Sequence, residues 1–197
     1  MTDLLERARR AGHEQLARLA GGNRHGRLNR ELVRALGEEG LLRQVLEGSA
    51  LDLCLLREGL AHGSTEAETA LALQGLGGHP ILRHGRPAVR DAWIPRLTTG
   101  EAVAAFALTE PEAGSDAGSL ALRAERDGGC FRLTGTKTWI SNAPEADVYT
   151  LFARTTPGAG ARGVTAFVVA RDSEGLTGEP LELLSPHPIG RLELDGV

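Results

Sequence analysis

Thr109, Glu110, Ser115 and Asp116 crowd into one stretch, Phe106-Ala107-Leu108-Thr109-Glu110-Pro111-Glu112-Ala113-Gly114-Ser115-Asp116. The apolar run that precedes it reads as a strand ending at Thr109. Pro111 and Gly114 then force an irregular turn, in which backbone groups leave the sheet ladder. Free N–H groups beside two hydroxyls suit a ligand carrying carbonyls or phosphates. The same residue types equally suit an ordinary acidic hairpin loop.

A second stretch follows, Gly135-Thr136-Lys137-Thr138-Trp139-Ile140-Ser141-Asn142-Ala143. It sets a Trp at a strand end beside Ser and Asn. A planar apolar face next to hydrogen-bonding groups is what a flat heteroaromatic cofactor requires, and it is also what a core Trp between sheet and helix looks like.

The elements that must position these stretches fall into two halves. Residues 1–100 read as an all-helical domain and residues 101–197 as a small β-domain, joined near Gly100. In the first half, Leu4, Leu5, Ala8, Ala11, Leu16 and Leu19 keep helical spacing up to a break at Gly21-Gly22-Asn23. A second helix is expected from Leu28 to about Leu42, with Asn29 as its cap, and another from Ser49. Ser64-Thr65-Glu66 opens one more, expected to end at Gly75, Gly77 and Gly78, and Pro87 begins the last.

From Glu101 the grammar changes to short β-branched or aromatic runs split by Gly, Pro and Asp. Strands are expected at Val103–Leu108, Cys130–Thr134, Trp139–Ser141, Val148–Ala153, Val164–Ala170, Leu181–Leu184 and Ile189–Leu194. The fold class is α+β: a helical domain followed by a small antiparallel β-barrel or sandwich.

Composition narrows the function classes. The formal charge is -4 and no basic stretch interleaves with aromatics, which excludes a nucleic-acid surface. No run reaches membrane-spanning length, and MTDLLERARR is charged from its start, so a cytoplasmic location is expected. Lys137 is the one lysine among 22 basic residues. Cys54 and Cys130 read as reduced, semi-buried residues, and the histidines His13, His25, His62, His79 and His84 lack ligand spacing, so no metal is inferred. His187 lies between Pro186 and Pro188 and reads as a turn residue, with approach to substrate or a neighbouring domain as the alternative. Glu110 and Asp116 read as loop-shaping carboxylates, and Arg154 and Arg162 as solvated strand-end charges, with CoA-phosphate ligands as the alternative.

Taken together, Thr-Glu-Pro-x-Ala-Gly-Ser-Asp and Gly-x-Lys-x-Trp-Ile-Ser-Asn-Ala closely resemble the middle domain of acyl-CoA dehydrogenases. Ala146-Asp147, Phe152-Ala153-Arg154 and Gly163 to Val169 follow in register, Ile189–Val197 resembles that domain's final strand, and Trp93-Ile94-Pro95-Arg96-Leu97 resembles the helix that enters it. The resemblance is strong from about Gly78 to Val197.

That resemblance implies FAD as cofactor and oxidation of an acyl-CoA thioester to its 2,3-enoyl form, with an electron-transfer flavoprotein or similar acceptor and a homo-oligomeric assembly. It implies that Phe106, Leu108 and Thr109 line the flavin edge and that Gly114 and Ser115 lie by the pyrophosphate and the passing CoA chain, Ser115 also touching substrate. Trp139 and Ile140 would pack beside the isoalloxazine, and the Ser141 hydroxyl would reach toward N5. The family's base sits in a C-terminal four-helix domain, so no catalytic base is expected before Val197, and a portion of a dehydrogenase is the expected reading. A flavin- or acyl-CoA-binding module completed by a partner chain is the alternative, and acyl-CoA oxidases and flavin monooxygenases share the same fold.

Overall fold

Polar side chains cap three of the helices in this computed structural model, which describes residues 2–21, 26–184 and 187–197. Gly22 and Asn23 of the expected break, His25, and Ser185-Pro186 lie outside the described residues. Helix α1 (Thr2–Ala11) passes through a π-helical turn (Gly12–Leu16) into the short α2 (Ala17–Leu19). Gly12 permits that path: a Cβ there would meet the Leu60 carbonyl at 3.0 Å.

The helix expected from Leu28 to Leu42 is two helices, α3 (Arg30–Glu38) and α4 (Leu41–Glu47), parted at Gly40 in the left-handed conformation. Asn29 caps α3 by accepting from the Leu32 N–H at 3.0 Å. Ser49 and Asp52 form a reciprocal capping box on α5 (Ala50–Ala61), and Ser64 caps α6 (Thr65–His84). Pro87 is the first residue of α7 (Pro87–Thr98).

Helix α6 does not end at its glycines; it runs on to His84. Gly75, Gly77 and Gly78 are where neighbours come closest. A Cβ on Gly77 would lie 2.8 Å from both the Ala104 Cβ and the Ala105 nitrogen, and one on Gly78 would lie 2.7 Å from a Leu46 methyl. Tertiary packing outweighs the low helix propensity of glycine here.

The β half holds β1 (Ala104–Ala107), β2 (Arg123–Asp127), β3 (Cys130–Ser141), β4 (Val148–Arg154), β5 (Val164–Ala170), β6 (Leu176–Pro180) and β7 (Ile189–Leu194). The two runs expected at Cys130–Thr134 and Trp139–Ser141 are one long strand, whose first half pairs with β2 and whose second half pairs with β7. The charged β2 carries no apolar signal and was not expected; it is half of a hairpin turned at Gly128-Gly129. Leu181–Leu184 is not a strand, and β6 lies just before it.

The strand order is β1-β4-β2-β3-β7-β6, with β5 on β4. Pairing is antiparallel except where β4 meets β1 and the Arg123 end of β2, where it is parallel, so the sheet is mixed. The β2–β3 hairpin intervenes between β1 and β4 and gives the chain room to return in the same direction.

Two apolar clusters fill the molecule. One joins the helices to Ala102, Val103, Ala104 and Val148, and the other lies within the β half around Leu133, Ile140, Tyr149 and Leu151. The seam between them is polar. The buried Gln74 amide donates to the Leu97 and Ala102 carbonyls and accepts from the Ala104 N–H. Thr150 donates to the Gly77 carbonyl at 2.7 Å, and Arg30 forks onto Asp147. Cys54 and Cys130 are exposed and free, where the sequence suggested partial burial. Among the described residues no helix is long and apolar enough to cross a membrane.

Candidate functional site

The two stretches singled out in the sequence meet. The Thr138 N–H donates to the Thr109 carbonyl at 3.0 Å, binding the end of the first stretch to the middle of the second. This bond is available because β3 bulges between Lys137 and Ile140 and releases Thr138 and Trp139 from the β7 ladder. Trp139 takes a left-handed backbone (φ 57°), an uncommon conformation for a bulky residue. The bulge turns its indole outward, 56% exposed.

Phe106, Leu108, Thr109, Trp139 and Ser141 line one cleft, completed by Ala105 and by Leu73 and Leu76 of α6. Its volume of about 170 Å³ is below the roughly 300–1,000 Å³ of an enclosing ligand pocket, enough room for one edge of a flat ligand but not for a whole one. Phe106 is held in place by Phe152, centroid to centroid 4.9 Å. Ile140 faces the opposite way, buried in the β core, as the alternation of a strand requires. Gly114 and Ser115 lie on the exposed loop beyond Thr109 and are not among the residues lining this cleft.

That loop is more tightly closed than its composition suggests. Glu110 and Ala113 exchange backbone hydrogen bonds at 3.0 and 3.2 Å. The Glu110 carboxylate, buried, accepts from the Ala121 and Leu122 N–H groups and from Lys137. Lys137 Nζ, fully buried, also donates to the Leu108 carbonyl at 2.8 Å. Burial lowers the Lys137 pKa, and the bond and charge of Glu110 act against that shift. The reading of Glu110 as loop-shaping thus gains its partner, the lone lysine, which spacing alone did not identify.

Arg154 is no solvated strand-end charge. Its guanidinium donates to the carbonyls of Leu120, Gly160 and Gly118, stapling two short 3₁₀ turns (Ala117–Ser119 and Gly160–Gly163) beside the loop. Asp116 accepts from the Ser119 hydroxyl at 2.5 Å.

His187 is more than a turn residue. Its Nε2 lies 2.8 Å from the Ser141 hydroxyl. A second cavity, between α3 and α6, is lined by His187, Asn142, Glu66 and Leu73, and Leu73 is shared with the first cleft. Burial lowers the His187 pKa and favours the neutral ring. Leu73, Leu76 and His187 come to the site through tertiary packing, and no local spacing announces them.

The comparisons with known proteins cover both halves. The family model described as acyl-CoA dehydrogenase, N-terminal domain, matches residues 2–101, and that described as acyl-CoA dehydrogenase, middle domain, matches residues 105–197. A glutaryl-CoA dehydrogenase of Desulfococcus multivorans is 37% identical over 180 residues, which cover 85% of this chain and 46% of the relative. Among solved structures, a glutaryl-coenzyme A dehydrogenase in complex with glutaryl-CoA aligns with a TM-score of 0.88 at 32% identity, covering 99% of this chain and 53% of its own. A glutaryl-CoA dehydrogenase of Mycobacterium smegmatis in complex with FADH2 aligns with a TM-score of 0.88 at 30% identity, covering 100% of this chain and 52% of its own. The chain spans about half the length of these proteins.

Proposed function

Because this chain belongs to the acyl-CoA dehydrogenase family, we propose that it carries the FAD platform for α,β-dehydrogenation of an acyl-CoA thioester. The observation that carries the reading is the convergence of Phe106, Leu108, Thr109, Trp139 and Ser141 on one cleft. The family models meet between residues 101 and 105, which supports a division into a helical part, residues 1–100, and a β part, residues 101–197.

The residues present fit a flavin. Trp139 offers an exposed planar face, Phe106 and Leu108 an apolar edge, and Thr109 and Ser141 hydroxyls at the rim. Gly114 fits the pyrophosphate role for a separate reason. Its φ is not positive and a Cβ there would meet no protein atom within 4 Å, so the fold itself does not demand glycine. Its bare backbone leaves space over the loop for a ligand, with Ser115 beside it.

FAD held there supplies the acceptor for the β-hydrogen, taken as hydride, while a carboxylate base removes the α-proton. The chain's own residues bind and orient. The Lys137–Glu110 pair fixes the Leu108–Thr109 edge, and the bulge aims Trp139 and Ser141 into the cleft. Hydroxyl and N–H donors preset toward the ligand act electrostatically and need no rearrangement. Among the described residues that line the cleft there is no carboxylate, and Glu110 and Asp116 are engaged elsewhere, so this reading takes the proton base from outside the cleft. An electron-transfer flavoprotein is the acceptor class that fits this reading.

The test is anaerobic titration of the FAD-loaded protein with acyl-CoA thioesters of graded chain length. Bleaching of the flavin absorbance by at least one thioester, with formation of the 2,3-enoyl product, supports the proposal; no bleaching by any of them contradicts it. Reoxidation by an artificial acceptor rather than by oxygen separates a dehydrogenase from an oxidase or monooxygenase of the same fold.

A further inference from the structure

Ser141 lines the cleft with Trp139 and Thr109, and its hydroxyl meets His187 Nε2 at 2.8 Å. The contact is fixed by the backbone. Ser141 pairs with Ile189 across β3 and β7, and the Asn142 N–H donates to the Pro188 carbonyl at 2.8 Å. His187 is therefore held beside Ser141 by the register of two strands, and the imidazole fills the corner between the cleft and the cavity under α3 and α6.

A serine hydroxyl has one hydrogen to give and two lone pairs. A neutral imidazole nitrogen either carries a hydrogen or accepts one. If Nε2 carries the hydrogen, it donates to Ser141 Oγ and leaves the serine O–H free to donate into the cleft. If Nε2 is bare, the serine O–H is spent on it, and Oγ offers the cleft a lone pair. Burial favours the neutral ring, the form that permits both arrangements. Glu66 is the other titratable group lining the second cavity, and its carboxylate is already engaged by the Gly21 N–H and the Asn29 amide.

We propose that His187 is a positioning residue that sets the direction of the Ser141 hydroxyl, making Ser141 a donor or an acceptor to whatever nitrogen occupies the cleft. The inference rests on the reading of the cleft as a flavin site. A flavin ring nitrogen there accepts a hydrogen bond when oxidised and donates one when reduced. Coupled to His187, one serine serves both: when the Nε2–Oγ bond reverses, the ring hydrogen leaves Nε2 to solvent and solvent returns one to Nδ1, so the imidazole changes tautomer and stays neutral.

The experiment has two parts. In the cofactor-free chain, the imidazole nitrogen chemical shifts of His187 are recorded with and without Ser141→Ala. A shift confined to Nε2 is expected; an unmoved Nε2 overturns the pairing whatever binds in the cleft. In the FAD-loaded protein, the flavin midpoint potential and visible spectrum are compared for Ser141→Ala, His187→Phe, His187→Gln and the Ser141→Ala/His187→Phe double variant. The expected result is that Ser141→Ala and His187→Phe move the potential in the same direction, that the double moves it no further than Ser141→Ala alone, and that His187→Gln restores most of the wild-type value. A wild-type potential in His187→Phe, or shifts that add in the double, overturns the role of His187. A wild-type potential in Ser141→Ala itself overturns the flavin placement beneath it.

Discussion

Lys137 Nζ lies 2.9 Å from Glu110 Oε1 with both side chains buried, and this pair ties the strand before the loop to the strand that carries Trp139. A charge left alone there has no solvent to turn to. Lys137→Met is expected to destabilise the fold by about 3–5 kcal/mol, the usual consequence of removing one member of a buried pair. Adding Glu110→Gln to Lys137→Met should recover part of that loss. Urea unfolding of the two single variants and the double gives the coupling, and strictly additive losses would show that the pair does not act as a unit.

Trp139 puts function and stability in opposition. Its left-handed backbone is disfavoured for any residue with a Cβ by roughly 1–2 kcal/mol, and the largely exposed ring recovers little by burial. Trp139→Gly should therefore leave the cofactor-free fold as stable or stabilise it by up to about 1 kcal/mol. The same change should weaken FAD retention by roughly two- to tenfold, through loss of the aromatic face. Thermal unfolding and flavin release measured on one preparation check both signs.

Gly77 sets how closely α6 approaches β1, and with it where Leu73 and Leu76 stand over the cleft. In Gly77→Ala the new methyl meets backbone atoms that cannot swing aside. A loss of about 1–3 kcal/mol is expected, as for other overpacked sites. An unchanged denaturation midpoint would mean that the helix has slack at this crossing.

How much of this was legible in the sequence varies with the kind of signal. Ser49, Ser64 and Pro87 announce helix starts through local hydrogen bonding and fixed φ, and those starts were found. The glycines of α6 misled, because their meaning is contact with Ala104 and Leu46, distant in sequence. Strand β2, with its run of charges, has no apolar face to read, and the bulge in β3 is a register shift against β7, a partner distant in sequence. Thr109, Trp139 and Ser141 were legible as a group through two motifs in order. His187 was not, since its place beside Ser141 depends on the β3–β7 register. The triple role of Arg154 likewise depends on where two distant turns come to rest.

His187 gives the stability of the fold a pH dependence. Burial lowers its pKa from the ordinary 6.5, so the unfolded chain takes up the proton first. The stabilising contribution is complete above the unfolded value and is lost as pH falls through it toward the lowered folded value. His187→Gln should flatten the fall in stability between about pH 7 and about pH 5. Equal slopes for wild type and variant over that window would contradict the assignment.

The central claim is that a flavin sits against Trp139. The chain has two tryptophans, so in a Trp93→Phe background the fluorescence reports Trp139 alone. Titrating FAD into that variant should quench the emission saturably, and Leu108→Glu or Ser141→Ala should shift the titration to higher FAD concentration. FAD that binds while Trp139 emission stays unquenched, or quenching that never saturates and ignores both substitutions, would contradict the account.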